Sequence, residues 1–373
     1  MNHFPVSRIS AIKNRFAKID ALVLSIACVF LSSCKSDDSD PLPPPIASCS
    51  VTQLENDLSS ALAQLTSSVD FSLALERADN RRYVYQRGTS TLHTSYESAS
   101  TSKLVSAVII LRLVEQGYLN LSDRPQDWIA DWPIDRSNLL YDMTLAQLLS
   151  FTSGLETEPL CLNVGAADFA NCVNTIANAN VSNGVTPGQR FYYAGTHLQV
   201  AGLMAIKARG VSHWQDIFTE FNLLTGLFAN ASYDLPSSDN PRLAGGMHWT
   251  AEEYLNFLKA LNTGALLNAT SMALLLADHT ASATIVYSPV ASSLGETWHY
   301  GFGLWHECQN ATFNCIAGTR VSSPGAYGAY PFWDRHNDYI GLVARQGELG
   351  SGNEGVAIER AVRSKIEQWA ACP

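Results

Sequence analysis

A chain of 373 residues is long enough to bury one large core or two moderate ones. Its 46% apolar and 16% charged residues exclude wholesale disorder, and a formal charge of −10 argues against nucleic acid or anionic lipid as the main partner.

Residues 1–33 read as a leader. Arg8, Lys13, Arg15 and Lys18 precede "ALVLSIACVFL" (21–31), an apolar run too short to span a bilayer easily. "LSSC" (31–34) resembles a bacterial lipoprotein processing box, which implies Cys34 as the lipid-carrying first residue of the mature chain. Lys35 beside it resembles an outer-membrane sorting pattern. The expectation is a cell-envelope protein facing the periplasm, touching the membrane only through its lipid. A plain secretory signal with an incidental cysteine is the alternative. "SDDSDPLPPPIAS" (36–48) makes 34–48 a polar, proline-rich tether.

The globular part is expected over 49–373. Val51, Leu54, Leu58, Leu62 and Leu65 recur at helical spacing. "DFSLALERA" and "RRYVYQRG" around Asp79-Asn80 predict a hairpin, and "AYPFWD" and "YIGLVARQ" around "RHND" predict a second. Ile358, Val362, Ile366 and Trp369 form the stripe of a final helix. Sheet elements thus sit at both ends, predicting a sheet lobe from 49–98 and 290–373 and a mostly helical lobe over 99–289. Six cysteines follow Cys34, and six allow fifteen pairings. Cys161/Cys172 and Cys308/Cys315 are close enough in sequence to close short loops, which leaves Cys49 with Cys372 to tie the ends together. No CxxC or HExxH stretch suggests a metal site, and no cofactor is expected.

"SASTSK" (98–103) places a hydroxyl and an ammonium three residues apart. The chain has seven lysines, and Ser10/Lys13 and Ser32/Lys35 share the S-x-x-K spacing, so the tetrapeptide alone says little. Its context says more. "LVSAVIILRLV" is apolar all round, which marks a helix buried inside the protein, and a lysine at its tip must be buried, paired or functional.

Several stretches in order then resemble the serine hydrolases of the β-lactamase and penicillin-binding-protein superfamily, nearest the class C β-lactamases and related esterases. "SASTSKLVSAVIILRLVEQGYLNLSDR" resembles the nucleophile helix. "MTLAQLLSFTSGL" (143–155) is similar to "LLxHTSGL", with Phe151 in place of the usual histidine. "PGQRFYYAGTHLQVAGLM" (187–204) resembles "PGxxFxYSNxxYxLLG". "NPRLAGGMHWTAEEYLNFLKAL" and "YGFGLW" resemble further family segments. The resemblance implies an α/β (α+β) fold: a five-stranded antiparallel sheet covered by the terminal helices, beside a mostly helical lobe. It implies Ser100 as nucleophile, Lys103 and Tyr193 as proton carriers, and the backbone N–H groups of Ser100 and Ala326 as an oxyanion hole. The choice of Lys103 or Tyr193 as acylation base stays open.

The chain departs from the pattern where a substrate would be gripped. Ser323-Pro324-Gly325 stands in place of Lys or His, Thr or Ser, then Gly on an edge strand, and Gly195 replaces the "YxN" asparagine. A proline, which has no N–H, fits an edge-strand position whose N–H would face the cleft rather than a neighbouring strand. These losses remove grips for a substrate carboxylate and an acylamido group. The expected activity is acyl-enzyme formation on a small-molecule ester or amide. A β-lactamase or D,D-carboxypeptidase is the rival if Arg320 or Arg345 reaches the carboxylate site, and a lipid-anchored binding protein without turnover is the non-enzyme rival. His248 and His306 read as structural histidines, and Asp334, Arg335 and His336 as turn residues.

Overall fold

The computed structural model describes residues 49–373; the leader, Cys34 and the tether lie outside the described residues. Strands β1 (Ser72–Arg77) and β2 (Arg82–Gln86) form the first predicted hairpin, and Asn80 takes the left-handed conformation that asparagine tolerates, at φ 69°. Five further strands complete the sheet: β3 (His299–Tyr300), β4 (Trp305–His306), β5 (Arg320–Ser322), β6 (Tyr330–Asp334) and β7 (Tyr339–Ala344). The order across the sheet is β2-β1-β7-β6-β5-β4-β3, with every neighbouring pair antiparallel. The two hairpins meet where β1 pairs β7, from Ser72 opposite Ala344 to Arg77 opposite Tyr339.

The sheet therefore has seven strands where five were expected. The extra pair, β3 and β4, is two residues per strand, too short for any alternation to register in the sequence. The middle of the chain also carries strands. Ser95–Glu97, Met247–Thr250 and Ser232–Tyr233 form a small antiparallel sheet, and Arg190–Tyr192 runs parallel to Thr284–Tyr287.

Period-two alternation sends neighbouring residues to opposite faces of the main sheet. Leu73, Leu75, Tyr339 and Val343 pack under helix α1 (Val51–Gln64) and the final helix α5 (Asn353–Ala371), against Leu58, Leu62, Val362, Ile366 and Trp369. Ala74, Ile340 and Leu342 face the opposite way into a larger core. There lie α2 (Ser102–Glu115), α3 (Thr196–Arg209) and α4 (Ala251–Asn262). Helix α2 is buried from Ser102 through Leu111 and again at Leu113, as an all-apolar surface requires.

All three disulfides join the expected partners: Cys49–Cys372, Cys161–Cys172 and Cys308–Cys315. The first closes a separation of 323 residues, against 11 and 7 for the others. On chain-entropy grounds the long closure contributes most, up to about 5 kcal/mol, against about 2–3 kcal/mol for each short one. The double variant Cys49→Ser with Cys372→Ser is expected to lose roughly 2–5 kcal/mol in denaturant unfolding, more than either short-loop double variant. Equal losses from all three would contradict this ranking.

Candidate active site

The site begins at a strained corner. Ala99–Thr101 form a 3₁₀ turn that leads into α2, and Ala99 sits at φ 43°, unfavourable for a residue with a Cβ. Ser100 is therefore in the 3₁₀ turn rather than within the α-helix. Three residues per 3₁₀ turn still bring Ser100 over Lys103. The corner is pinned from outside. Ser98 N–H donates to Met247 O at 2.8 Å, the Trp249 indole N–H to Thr101 Oγ1 at 2.8 Å, and the Tyr254 hydroxyl to Thr101 O at 2.8 Å. The Ser102 hydroxyl donates to Ala99 O at 2.9 Å. Ser100 itself remains partly exposed.

Lys103 is 4% exposed. Its Nζ donates to Ser100 Oγ at 2.8 Å and to Ala244 O at 2.7 Å, and lies 4.6 Å from the centre of the Tyr193 ring. Among the described residues no carboxylate lies within ion-pair distance of it. Burial first, and the Arg242 charge second, push the amine down to about 7, while Glu158 pulls it partly back. The neutral amine is then populated at neutral pH.

Tyr193 is partly buried and hangs from backbone: its N–H donates to Tyr287 O at 3.1 Å. Its ring stacks on Trp305 at 5.0 Å and meets Tyr300 edge-on at 6.0 Å. Burial raises the phenol well above its ordinary value, opposed by hydrogen bonding with Ser100 and Trp305, so the hydroxyl keeps its proton at neutral pH.

Behind Tyr193 stands a pair that the sequence did not suggest. Phe151, at φ 60°, packs 5.6 Å from Tyr193 and stacks on His197 at 4.9 Å. His197 Nε2–H donates to Tyr192 O at 2.9 Å, so Nδ1 accepts from the Ser153 hydroxyl at 2.8 Å. Burial holds this imidazole down to about 3, hence neutral. No local pattern in the sequence marks His197; its role as a partner of Phe151 emerges only from the fold.

On the sheet side, β5 ends at Ser322, and it is interior to the sheet rather than an edge, because β4 and β3 lie beyond it. The expected cleft-facing stretch survives for a different reason. The β4 pairing stops at Trp305 opposite Ser322, so residues 323–326 run past it. Ser323 N–H donates to Pro331 O at 3.1 Å and Gly325 N–H to Ala329 O at 2.8 Å, both away from the cleft. Pro324, Gly325 and Ala326 line the cleft, and Ala326 begins the turn that Gly328 N–H closes onto Gly325 O at 2.9 Å. A Cβ at Gly325 would fall 2.6 Å from Ser98 O, so only glycine lets this stretch approach the turn that carries Ser100. The N–H groups of Ser100 and Ala326 have no backbone or side-chain acceptor among the described residues. Ser323 is 4% exposed and its hydroxyl turns to Ser100 O and Gly303 O at 3.3 and 3.4 Å, so it does not line the cleft.

The cleft encloses about 270 Å³, bounded by Ser100, Lys103, Tyr193, Trp305, Pro324 and Ala326 together with Gly195, Glu158 and Arg242. The last two were not singled out from the sequence. Gly195 N–H donates to Glu158 Oε1, and a Cβ at Gly195 would lie 2.8 Å from that oxygen. Arg242 pairs with Glu158 at 3.6 Å and donates to Asn163 Oδ1 at 2.7 Å. Neither alternative cation lines this cleft. Arg320 is held by Glu307, Asp334 and Glu359, and fully buried Arg345 by Glu354 and Ser68. His248 pairs with Asp234 at 2.6 Å, and His306 accepts Gly318 N–H at 3.0 Å while donating to Ala277 O at 3.1 Å. Asp334 accepts the N–H groups of His336 and Asn337 in the β6–β7 turn.

Sheet, helical lobe and cleft together define the class, the serine β-lactamase and penicillin-binding-protein-like proteins. The chain belongs to the beta-lactamase family, whose model matches residues 72–360. It is 28% identical over 156 residues to penicillin-binding protein 4 of Amycolatopsis lactamdurans, a match that spans 41% of this chain and only 40% of that relative's own length. A β-lactamase homologue from Bacteroides dorei DSM 17855 shares the fold at a TM-score of 0.69 and 23% identity, covering 85% of this chain and 99% of its own. EstCE1, a hydrolase with promiscuous acyltransferase activity, shares the fold at a TM-score of 0.65 and 16% identity, covering 86% and 98%.

Burying Lys103 also costs stability, and the sign follows from proton binding. Unfolding returns the amine from about 7 to its ordinary 10.5, so between those values the folded chain binds fewer protons. Stability therefore rises with pH through that window, and the penalty is fully present below it. Lys103→Met is expected to melt a few degrees higher than the parent at about pH 6, with the gap narrowing toward about pH 9. Calorimetry at the two pH values checks this, and a variant that melts lower at both contradicts it.

Proposed function

We propose that this protein is a serine hydrolase that forms an acyl-enzyme on Ser100 and acts on esters or amides with little need for a substrate carboxylate. The observation that carries the reading is the buried Lys103 amine, 2.8 Å from Ser100 Oγ and without a carboxylate contact. A serine hydroxyl is a weak nucleophile until a base takes its proton. In the neutral fraction the Nζ lone pair accepts that proton, while Nζ–H continues to donate to Ala244 O. Ser100 Oγ then bonds to the carbonyl carbon, and the oxygen that gains charge faces the N–H groups of Ser100 and Ala326. Tyr193, protonated throughout neutral pH, gives its proton to the departing alcohol or amine and recovers one from the Lys103 ammonium beside its ring. Water attacks the acyl-enzyme by the same route in reverse. This division makes Lys103 the acylation base and Tyr193 the acid.

Three features support a substrate without a carboxylate. Pro324 brings no cation, Ser323 turns its hydroxyl to backbone, and Arg320 and Arg345 are engaged elsewhere. A charged contact of the kind that is missing contributes about 1.5–3 kcal/mol, so nitrocefin is expected to turn over roughly 10²-fold more slowly than a neutral p-nitrophenyl ester. Ester hydrolysis requires the unprotonated amine, so its kcat/KM rises with pH to a plateau, with the inflection near the value of about 7 for Lys103. A fluorophosphonate is expected to label native protein and leave Ser100→Ala unlabelled. No Ser100-dependent adduct would replace this reading with a binding role, and nitrocefin turnover matching the ester would restore the β-lactamase one.

For location, we infer a lipid-anchored protein of the bacterial cell envelope. The three disulfides support an oxidising compartment, and "LSSC" supports acylation at Cys34. Metabolic labelling with an alkyne fatty acid is expected to mark the native chain but not Cys34→Ala; equal labelling of both would overturn it.

A further inference from the structure

Besides Lys103, the charged residues that line the cleft are Glu158 and Arg242. Both lie against Gly195, where an added Cβ would come 2.8 Å from Glu158 Oε1 and 3.6 Å from Arg242 Nε. Glu158 fills space that a side chain at position 195 would need, and its Oε1 is anchored by Gly195 N–H. Arg242 is anchored at the other end by Asn163, two residues before the Ala244 carbonyl that holds Lys103. The pair is neither deeply buried nor at the open surface, with side chains 34% and 38% exposed for Arg242 and Glu158. Arg242 Nε is shielded from solvent, yet has no acceptor among the described residues.

We propose that Glu158 and Arg242 form a charge-balanced selectivity pair that admits uncharged acyl groups to Ser100 and disfavours both anionic and cationic ones. The inference rests on the acyl-enzyme reading above and narrows its substrate class. An incoming carboxylate is drawn to Arg242 but meets Glu158, which backbone anchoring keeps from swinging aside. An incoming ammonium meets the opposite pair of forces. Only an uncharged group passes without separating the two, and the guanidinium and carboxylate still offer it a donor and an acceptor.

Balance also matters to the base. The groups that face Lys103 are Ser100 on its own turn, Tyr193 and neutral His197 from the 190–197 segment, Glu158 from the loop before Leu160, and Arg242 beside Ala244. Of these only Glu158 and Arg242 carry fixed charge at neutral pH, and they pull on the amine in opposite directions. Removing one leaves the other unopposed.

The test is a pair of isosteric variants, Glu158→Gln and Arg242→Gln, assayed on a neutral aryl ester and on its hemisuccinate counterpart across pH. Glu158→Gln is expected to raise the hemisuccinate-to-neutral ratio of kcat/KM about three- to tenfold and to move the pH inflection to lower pH. Arg242→Gln is expected to lower that ratio and move the inflection to higher pH, each shift being about half a pH unit. A merely structural role would lower both substrates together without opposite shifts. Glu158→Asp and Arg242→Lys, which keep the charges, are expected to retain the parent inflection, and they decide the matter if a Gln variant does not fold. Shifts in the same direction, no shifts, or an unchanged ratio overturn the proposal. Failure of native protein to label at Ser100 would instead sink the underlying acyl-enzyme reading.

Discussion

A primary amine has been placed where little water reaches it and where, among the described residues, no carboxylate touches it. Lys103 keeps two acceptors, the Ser100 hydroxyl and the Ala244 carbonyl, and a hydroxyl and a carbonyl stabilise an ammonium far less than a carboxylate does. The amine therefore gives up its proton near neutrality. On the proposed mechanism, that gives the Ser100 proton somewhere to go and spares the Tyr193 hydroxyl from ionising. The apolar girth of α2 is the cause at the level of sequence, since a helix without a polar face must sit inside the protein and carries its first lysine in with it.

Holding such an amine beside a reactive hydroxyl requires stiffness around it. Two non-glycine residues of positive φ flank the site, Ala99 before the nucleophile and Phe151 behind Tyr193. Such conformations persist only when surroundings over-determine them. At Ala99 the determinants are Met247, Trp249 and Tyr254, which reach in from a small sheet and from α4. At Phe151 they are the stacked His197 and the Tyr192 N–H that donates to its carbonyl at 3.1 Å. The long-range part of the frame is the junction of β1 and β7, which brings both chain ends into one sheet beneath the cleft.

What could be read from the chain alone follows a physical boundary. Both hairpins, the terminal helices and the buried α2 declare themselves through period and turn chemistry, which are local. The cysteine pairs were legible because short spacings and elimination suffice for them, whereas Lys103 stood out through the all-apolar helix that follows it and the role of Ser100 came from the family resemblance. Tyr193 and Ala326 were found by resemblance to a family pattern, not by any local rule. Glu158 and Arg242 were missed because they are 84 positions apart and meet only through the fold around Gly195. His197 was missed for the same reason, since nothing in "THLQ" announces a partner at Phe151. The interior placement of β5 escaped notice because β3 and β4 are too short to carry a period.

The departures from the family pattern share a form. Where the asparagine is lost at Gly195, the Glu158 carboxylate occupies the space; where the histidine is lost at Phe151, His197 stacks against the new ring. Where the strand cation is lost at Ser323, the hydroxyl closes onto the backbone of the nucleophile turn. Each vacancy is filled by a neighbour, whereas the two costly features of the site, a buried unpaired amine and a strained Ala99, are left in place. A fold serving only as a binding surface would gain stability by relaxing both. Under the proposed acyl-enzyme reading, the buried amine and the strained Ala99 serve the chemistry at Ser100, and the side chains of the cleft wall bear on which substrate reaches it.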